Sequence, residues 1–145
     1  MCAAPDVILL VEDDQGQADL IRANLEIADL QQEIVHVTDG RQALDFVERS
    51  GPFRDRPPGA VLVLLDLRLP RMDGIEFLQV LRSGQGNPRT PVLVFTADDN
   101  PKMISQCYEL GCSLYFFKPF LLEEFLGAIS RLAGLIHAVS VPNGC

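Results

Sequence analysis

The chain reads as an α/β protein, a five-stranded parallel sheet wound with five helices over both faces, and three features lead to that reading. Short apolar segments recur, with Asp6-Val-Ile-Leu-Leu-Val11 and Val61-Leu-Val-Leu-Leu65 the plainest, and they run without alternation. Such runs suit strands buried on both faces, as in a parallel sheet between helices. Between them lie stretches whose apolar residues recur every three or four positions, the period of an amphipathic helix. Finally, both runs lead straight into acids, Glu12-Asp13-Asp14 after the first and Asp66 after the second.

Taken in order, the first strand is Asp6–Val11, followed by Ala18, Ile21, Leu25 and Ala28 at helical spacing, which predicts a helix over 16–28. Ile34-Val-His-Val-Thr38 is β-branched and forms strand two, with Asp39-Gly40 turning the chain after it. A short helix over 41–49 carries Ala43, Leu44 and Val47 and stops at Ser50-Gly51-Pro52. The loop from Gly51 to Gly59, with three prolines and Arg54, Asp55 and Arg56, is expected to be polar and exposed. Val61–Leu65 is strand three, and Ile75, Leu78 and Leu81 predict a helix over 74–83 closed by Gly84 and Gly86. Pro91–Phe95 is strand four, delivering Thr96-Ala97. Asn100 caps the next helix with Pro101 in its first turn, and the helix runs to Gly111. Leu114–Phe117 is strand five, delivering Lys118-Pro119, and a last helix runs from Leu121 to His137. Residues 1–145 are read as one domain with a core over 6–137 and a frayed tail over 138–145.

Composition narrows the function classes. The net charge of −8, with 12 scattered Lys and Arg, argues against a nucleic-acid surface. No stretch approaches the ~18 uninterrupted apolar residues of a membrane span. Met1-Cys-Ala-Ala-Pro5 lacks the basic start of a signal peptide, so a cytoplasmic location is expected. The four cysteines, at 2, 107, 112 and 145, match neither zinc spacing nor a redox pair and are expected to be reduced.

The strand ends converge on chemistry. Ligand crevices of open α/β sheets lie outside the carboxyl ends of the strands. Glu12, Asp13, Asp66, Thr96 and Lys118 would all meet there. Taken alone, Asp66 could simply cap a turn before Pro70, and the whole rim could be solvated acids with a lysine salt bridge. Three carboxylates in one space, however, raise one another's pKa or demand a cation. Oxygen ligands without His or Cys select a hard ion, which points to Mg²⁺.

Together these residues resemble the receiver domain of two-component response regulators. The resemblance runs from Val7 to about Leu132 and rests on Leu10-Val-Glu-Asp-Asp14, Leu65-Asp-Leu-Arg-Leu-Pro70 with Met72-Asp-Gly74, Thr96-Ala97 and Lys118-Pro-Phe120. It implies a flavodoxin-like sheet of strand order 2-1-3-4-5. It also implies Asp66 as phosphoacceptor, Glu12 and Asp13 as the Mg²⁺ acids with the Arg68 carbonyl as backbone ligand, and Lys118 as the site lysine. Thr96 would be the switch hydroxyl and Tyr115 the aromatic switch, although Tyr115 could equally be an edge-strand aromatic. The long polar loop and the bare tail are most similar to stand-alone response regulators that partner bacterial phytochromes and related histidine kinases.

The implied chemistry is nucleophilic capture by Asp66 of a phosphoryl group from a histidine kinase, in a Mg²⁺-dependent reaction. Such a domain catalyses its own phosphorylation and dephosphorylation and is not expected to act on a separate substrate. Output would come through changed protein–protein interaction, with a downstream protein, or through onward phosphorelay. A silent scaffold that binds partners without phosphorylation is the rival reading. A flavin carrier would need a phosphate loop where Glu12-Asp13-Asp14 stands, and an aspartyl phosphohydrolase would want an acid where Arg68 stands.

Two departures and one surface complete the reading. Arg68 and Asp98 occupy the positions two residues beyond Asp66 and Thr96 and are expected either to set the lifetime of the phosphorylated state or to be solvated side chains of opposite sign. In the last helix Leu122, Phe125, Ile129, Leu132 and Ile136 form a core stripe. Leu121, Phe125, Ala128, Leu132, Leu135 and Val139 recur beside it at heptad spacing, which suggests a homodimer through that helix.

Overall fold

The computed structural model describes residues 6–27, 32–84 and 89–118, together with 123, 124 and 127. The strands are β1 (Val7–Val11), β2 (Glu33–Val37), β3 (Val61–Leu65), β4 (Val92–Thr96) and β5 (Leu114–Phe117). They form one parallel sheet of order β2-β1-β3-β4-β5, the expected flavodoxin-like arrangement. Four α-helices are seen among the described residues: α1 (Gln15–Ile27), α2 (Gly40–Glu48), α3 (Gly74–Ser83) and α4 (Pro101–Glu109). Of the fifth helix expected over 121–137 only residues 123, 124 and 127 are described, all three helical, and every residue of the heptad stripe lies outside the described residues.

Each strand of the central trio is buried along its whole length, which is why the sequence shows no alternation there. Alternate residues still go to opposite faces. Leu9, Val63 and Val94 pack with Phe77, Leu78 and Leu81 of α3, Val47 of α2 and Cys107 of α4. Ile8, Leu10, Leu62, Leu64 and Phe95 pack on the other face against Ala18, Ile21 and Leu25 of α1. Each fully buried leucine or phenylalanine contributes about 1.5–3 kcal/mol of transfer free energy.

The helix starts follow short polar side chains. Asp39 accepts the Gln42 amide at 2.8 Å, Asp73 the Glu76 amide at 2.9 Å and Asn100 the Lys102 amide at 2.9 Å. Each such cap stabilises its helix by about 1 kcal/mol. α4 ends at Glu109 rather than Gly111, because Gly111 takes a positive φ of 80° and turns the chain toward β5. β4 begins at Val92, one residue later than expected, and Thr96 is its last residue rather than the first of the loop. Pro91 has no N–H to give the ladder and contributes only its carbonyl, to Val63 at 3.0 Å.

The loop after α2 is not wholly exposed. Gly51–Phe53 forms a short 3-10 turn, and the Phe53 ring packs edge-on against Phe46 at 5.1 Å. Arg56 folds back over the Phe46 ring at 4.4 Å and donates to the Phe46 and Val47 carbonyls at 2.8 and 3.3 Å. Those carbonyls belong to the last turn of α2; the Phe46 carbonyl also accepts the Arg49 amide at 3.2 Å, and the guanidinium adds a side-chain donor to the helix end. Cys107 and Cys112 are free, buried thiols, pushed up to about 11 and about 12 by desolvation, which makes them inert core residues.

Candidate functional site: an acid cluster and lysine at the sheet edge

Strand register builds the site. Val11 lies beside both Val37 and Leu65, so β1, β2 and β3 end level with one another. The ladder then continues one bond past each end. Glu12 N–H donates to Val37 at 3.1 Å, Asp66 N–H to Val11 at 3.0 Å and Lys118 N–H to Thr96 at 2.8 Å. The backbones of all three chemically important residues are therefore fixed by the sheet, while their side chains are released from it.

The side chains of Glu12, Asp13 and Asp66 offer carboxylate oxygens that all lie within 4.8 Å of one another. Glu12 is 1 % exposed and Asp66 6 % exposed, whereas Asp13 faces solvent. Lys118 Nζ donates to Glu12 Oε1 at 2.5 Å and to Asp66 Oδ2 at 3.1 Å. It also donates to Gln17 Oε1, from the first turn of α1. Asp66 Oδ1 accepts the Arg68 amide at 3.3 Å, so the two oxygens of Asp66 have different partners. Desolvation raises the Glu12 carboxyl to about 7; the Lys118 bond opposes the rise and Asp66 adds to it. A buried acid this reluctant to ionise, in an oxygen-only cluster, fits a hard divalent cation.

The loop after Asp66 is held from two sides. Gly74 N–H donates to Leu67 at 3.0 Å, and a Cβ at Gly74 would stand 2.8 Å from the Asp66 carbonyl and 2.7 Å from Leu67 Cα. Gly40, opening α2, donates to the Met72 carbonyl at 2.8 Å, and a Cβ there would approach that oxygen to 2.2 Å. Both contacts require glycine because backbone meets backbone.

At the neighbouring strand end, Thr96 is 1 % exposed and its Oγ1 accepts the Asp98 amide at 3.3 Å. The Asp98 carbonyl accepts the Tyr115 hydroxyl at 2.7 Å, and its carboxylate lies 3.7 Å from Arg68 Nη2. Burial pushes the Tyr115 phenol well up, which keeps it a neutral donor.

The fold thus brings Glu12, Asp13, Asp66 and Lys118 into one cluster, places Thr96 at the adjoining strand end, and links Arg68 to Asp98. The Arg68 backbone follows Asp66 directly through its amide. Leu121, Phe125, Ala128, Leu132, Leu135 and Val139 fall outside the described residues. The sequence reading missed Gln17 at Lys118, and it missed His36, whose Nε2 meets the Glu12 carbonyl at 2.7 Å. No local pattern marks either residue. Their partners are distant in sequence, and only the meeting of β1, β2, α1 and the end of β5 makes them neighbours.

An oxygen-only acid cluster beside a lysine, at the carboxyl edge of a 2-1-3-4-5 parallel sheet, defines a domain suited to handling an anionic group with a hard cation. The chain belongs to the response regulator receiver domain family, whose model matches residues 8–130. It is similar to Response regulator Rcp1 of Synechocystis sp., 30 % identical over 139 residues that cover 95 % of this chain and 94 % of that protein. The structure of the Mn²⁺-bound form of Rcp1 superposes with a TM-score of 0.74 at 30 % identity, covering 95 % of this chain and 96 % of that one. Bacteriophytochrome response regulator RtBRR matches with a TM-score of 0.78 at 40 % identity, over 88 % of this chain and 77 % of that one. The phosphorylated cyanobacterial phytochrome response regulator RcpA matches with a TM-score of 0.76 at 28 % identity, over 95 % and 97 %. No helix among the described residues is long and apolar enough to cross a membrane.

Proposed function

We propose that Asp66 is the phosphoacceptor of this receiver domain and that a histidine kinase is its phosphodonor. The observation that carries the reading is Lys118 Nζ at 3.1 Å from Asp66 Oδ2, with the Glu12 and Asp13 carboxylates clustered alongside. An Asp66 oxygen attacks phosphorus, the P–N bond to the donor histidine breaks, and the imidazole nitrogen leaves with the electron pair. Lys118 holds the attacking carboxylate and places its charge where phosphoryl oxygens arrive. The Thr96 hydroxyl is released from the Asp98 amide to meet a phosphoryl oxygen, and the Tyr115 hydroxyl on Asp98 carries that change to the surface.

Glu12, Asp13 and Asp66, with the Arg68 carbonyl, would hold Mg²⁺. When bound, the ion supplies charge neutralisation for the oxygens of the transferring group. Likeness to Rcp1, RtBRR and RcpA favours a phytochrome-type kinase as the partner, and a downstream protein or phosphotransfer partner as the receiver of the signal. The heptad stripe of Leu121, Phe125, Ala128, Leu132, Leu135 and Val139 favours a homodimer.

The test is phosphotransfer from a phosphorylated histidine kinase, read by intact mass with and without Mg²⁺. Wild type should gain one phosphoryl group only with the metal, and Asp66→Asn should gain none. Equal labelling of Asp66→Asn would move the acceptor elsewhere. A wild-type chain that binds its kinase yet never labels, whatever the donor, would leave a silent scaffold.

A further inference from the structure

We propose that Gln17 is a positioning residue for Lys118, an uncharged anchor that holds the ammonium over Asp66 while the charged groups around it are being used. This inference rests on the phosphoacceptor reading of Asp66. An ammonium has three N–H donors, and here they are matched by three acceptors: Glu12 Oε1 at 2.5 Å, Asp66 Oδ2 at 3.1 Å and Gln17 Oε1. Two of the three change state when the site works. The Asp66 carboxylate becomes part of a mixed anhydride, and Glu12 is committed to the cation. The amide of Gln17 is neutral, makes no demand on the cation, and accepts in the same way before and after transfer.

The backbone makes Gln17 suitable for this task. Its N–H donates to Asp14 Oδ1 at 2.9 Å at the start of α1, and the next residue, Ala18, is buried against the sheet. The side chain therefore springs from a fixed point. Lys118, by contrast, follows the end of β5 with its own N–H on Thr96 and carries a long flexible stem. Its remaining local contact is the Phe95 ring, 5.0 Å from Nζ, which offers attraction without direction. Gln17 supplies the direction.

Gln17→Met keeps the length and helix propensity of the side chain and removes the acceptor. The full-length chain is phosphorylated with phosphoramidate and Mg²⁺, and the rate is followed against donor concentration. The proposal expects the rate at saturating donor to fall roughly tenfold or more in Gln17→Met, as for loss of one hydrogen bond to a charged group, with half-saturating donor and Mg²⁺ affinity unchanged. In a Lys118→Ala background the same substitution should have no further effect. The chain has two lysines, 102 and 118, so the side-chain carbon resonances can be assigned by substituting either one. The Lys118 resonance should move in Gln17→Met while that of Lys102 stays. Wild-type rates in Gln17→Met, or an unmoved Lys118 resonance, overturn the proposal and leave the role of Asp66 standing. A wild-type chain that takes no phosphoryl group removes both.

Discussion

The Tyr115 hydroxyl donates to the Asp98 backbone carbonyl at 2.7 Å, and this places β5 in direct contact with the residue whose carboxylate faces Arg68 at 3.7 Å. Asp98 also gives its amide to Thr96 Oγ1 at 3.3 Å. One residue therefore joins the loop after Asp66, the buried Thr96 hydroxyl and the aromatic of the outer strand.

Arg68 is 76 % exposed, so its pairing with Asp98 contributes little to folding stability. With Asp66 as the proposed phosphoacceptor, Arg68, two residues on and with its amide on Asp66 Oδ1, would influence water reaching the phosphoryl group. Arg68→Asn is expected to speed loss of the phosphoryl group more than about fivefold, the equivalent of roughly 1 kcal/mol of barrier. The melting temperature should stay within a degree or so. An unchanged decay of the labelled species would make Arg68 and Asp98 an ordinary solvated pair.

The strand ends were legible because they depend on two local signals, an unbroken apolar run and the polar residue that ends it. Val61–Leu65 followed by Asp66 carries both, and β3 has the expected limits. At Pro91 the apolar pattern and the hydrogen-bonding capacity disagree, and the ladder follows the hydrogen bonds, so the strand begins at Val92. The charge of Arg56 is visible in the sequence and points to an exposed loop residue, whereas the Phe46 and Val47 carbonyls to which it donates are not visible there. Gln17 was silent for the same reason. Its partner is 101 residues away, and glutamine in a first helical turn has no distinctive spacing.

The two glycines around the loop after Asp66 give a stability prediction with a functional readout. Gly74→Ala would drive a Cβ against the Asp66 carbonyl and Leu67 Cα, and Gly40→Ala would drive one into the Met72 carbonyl at 2.2 Å. Backbone rather than a flexible side chain must give way, so each should cost about 1–3 kcal/mol in urea unfolding, Gly40→Ala the more because its amide bond to Met72 is also endangered. Gly74→Ala should in addition slow phosphorylation, since the displaced backbone is that of Asp66 itself. Two alanine variants as stable as wild type would show that α2 and α3 can slide away from the loop without cost.

The heptad spacing of Leu121, Phe125, Ala128, Leu132, Leu135 and Val139 in the sequence leads to a prediction on association. Leu135→Glu should give monomers in sedimentation, while Asp66 accepts phosphate as before. A wild-type chain that is monomeric at every concentration, phosphorylated or not, would assign the stripe to another partner.

The final prediction concerns pH and the metal together. Desolvation holds the Glu12 carboxyl at about 7 in the folded chain, above its ordinary 4.5, so between those values the native state binds more protons than the unfolded one. Without metal, the contribution of Glu12 to stability is therefore complete below 4.5 and is lost as pH rises through about 7. Mg²⁺ reverses the slope, because an oxygen ligand must be ionised and the cation competes with that proton. Mg²⁺ affinity should rise about tenfold from roughly pH 6 to roughly pH 8 and then level off, as expected for one group titrating near 7. Asp13→Asn should weaken Mg²⁺ binding at both ends of the range but keep the slope, since Asp13 faces solvent and Glu12 is the buried acid. Glu12→Gln should remove the slope and most of the binding. Thermal melts of the chelator-treated and Mg²⁺-loaded protein across this range read both effects. An affinity that is flat from about pH 6 to about pH 8 would show that Glu12 is already ionised in the folded chain, its charge held by Lys118.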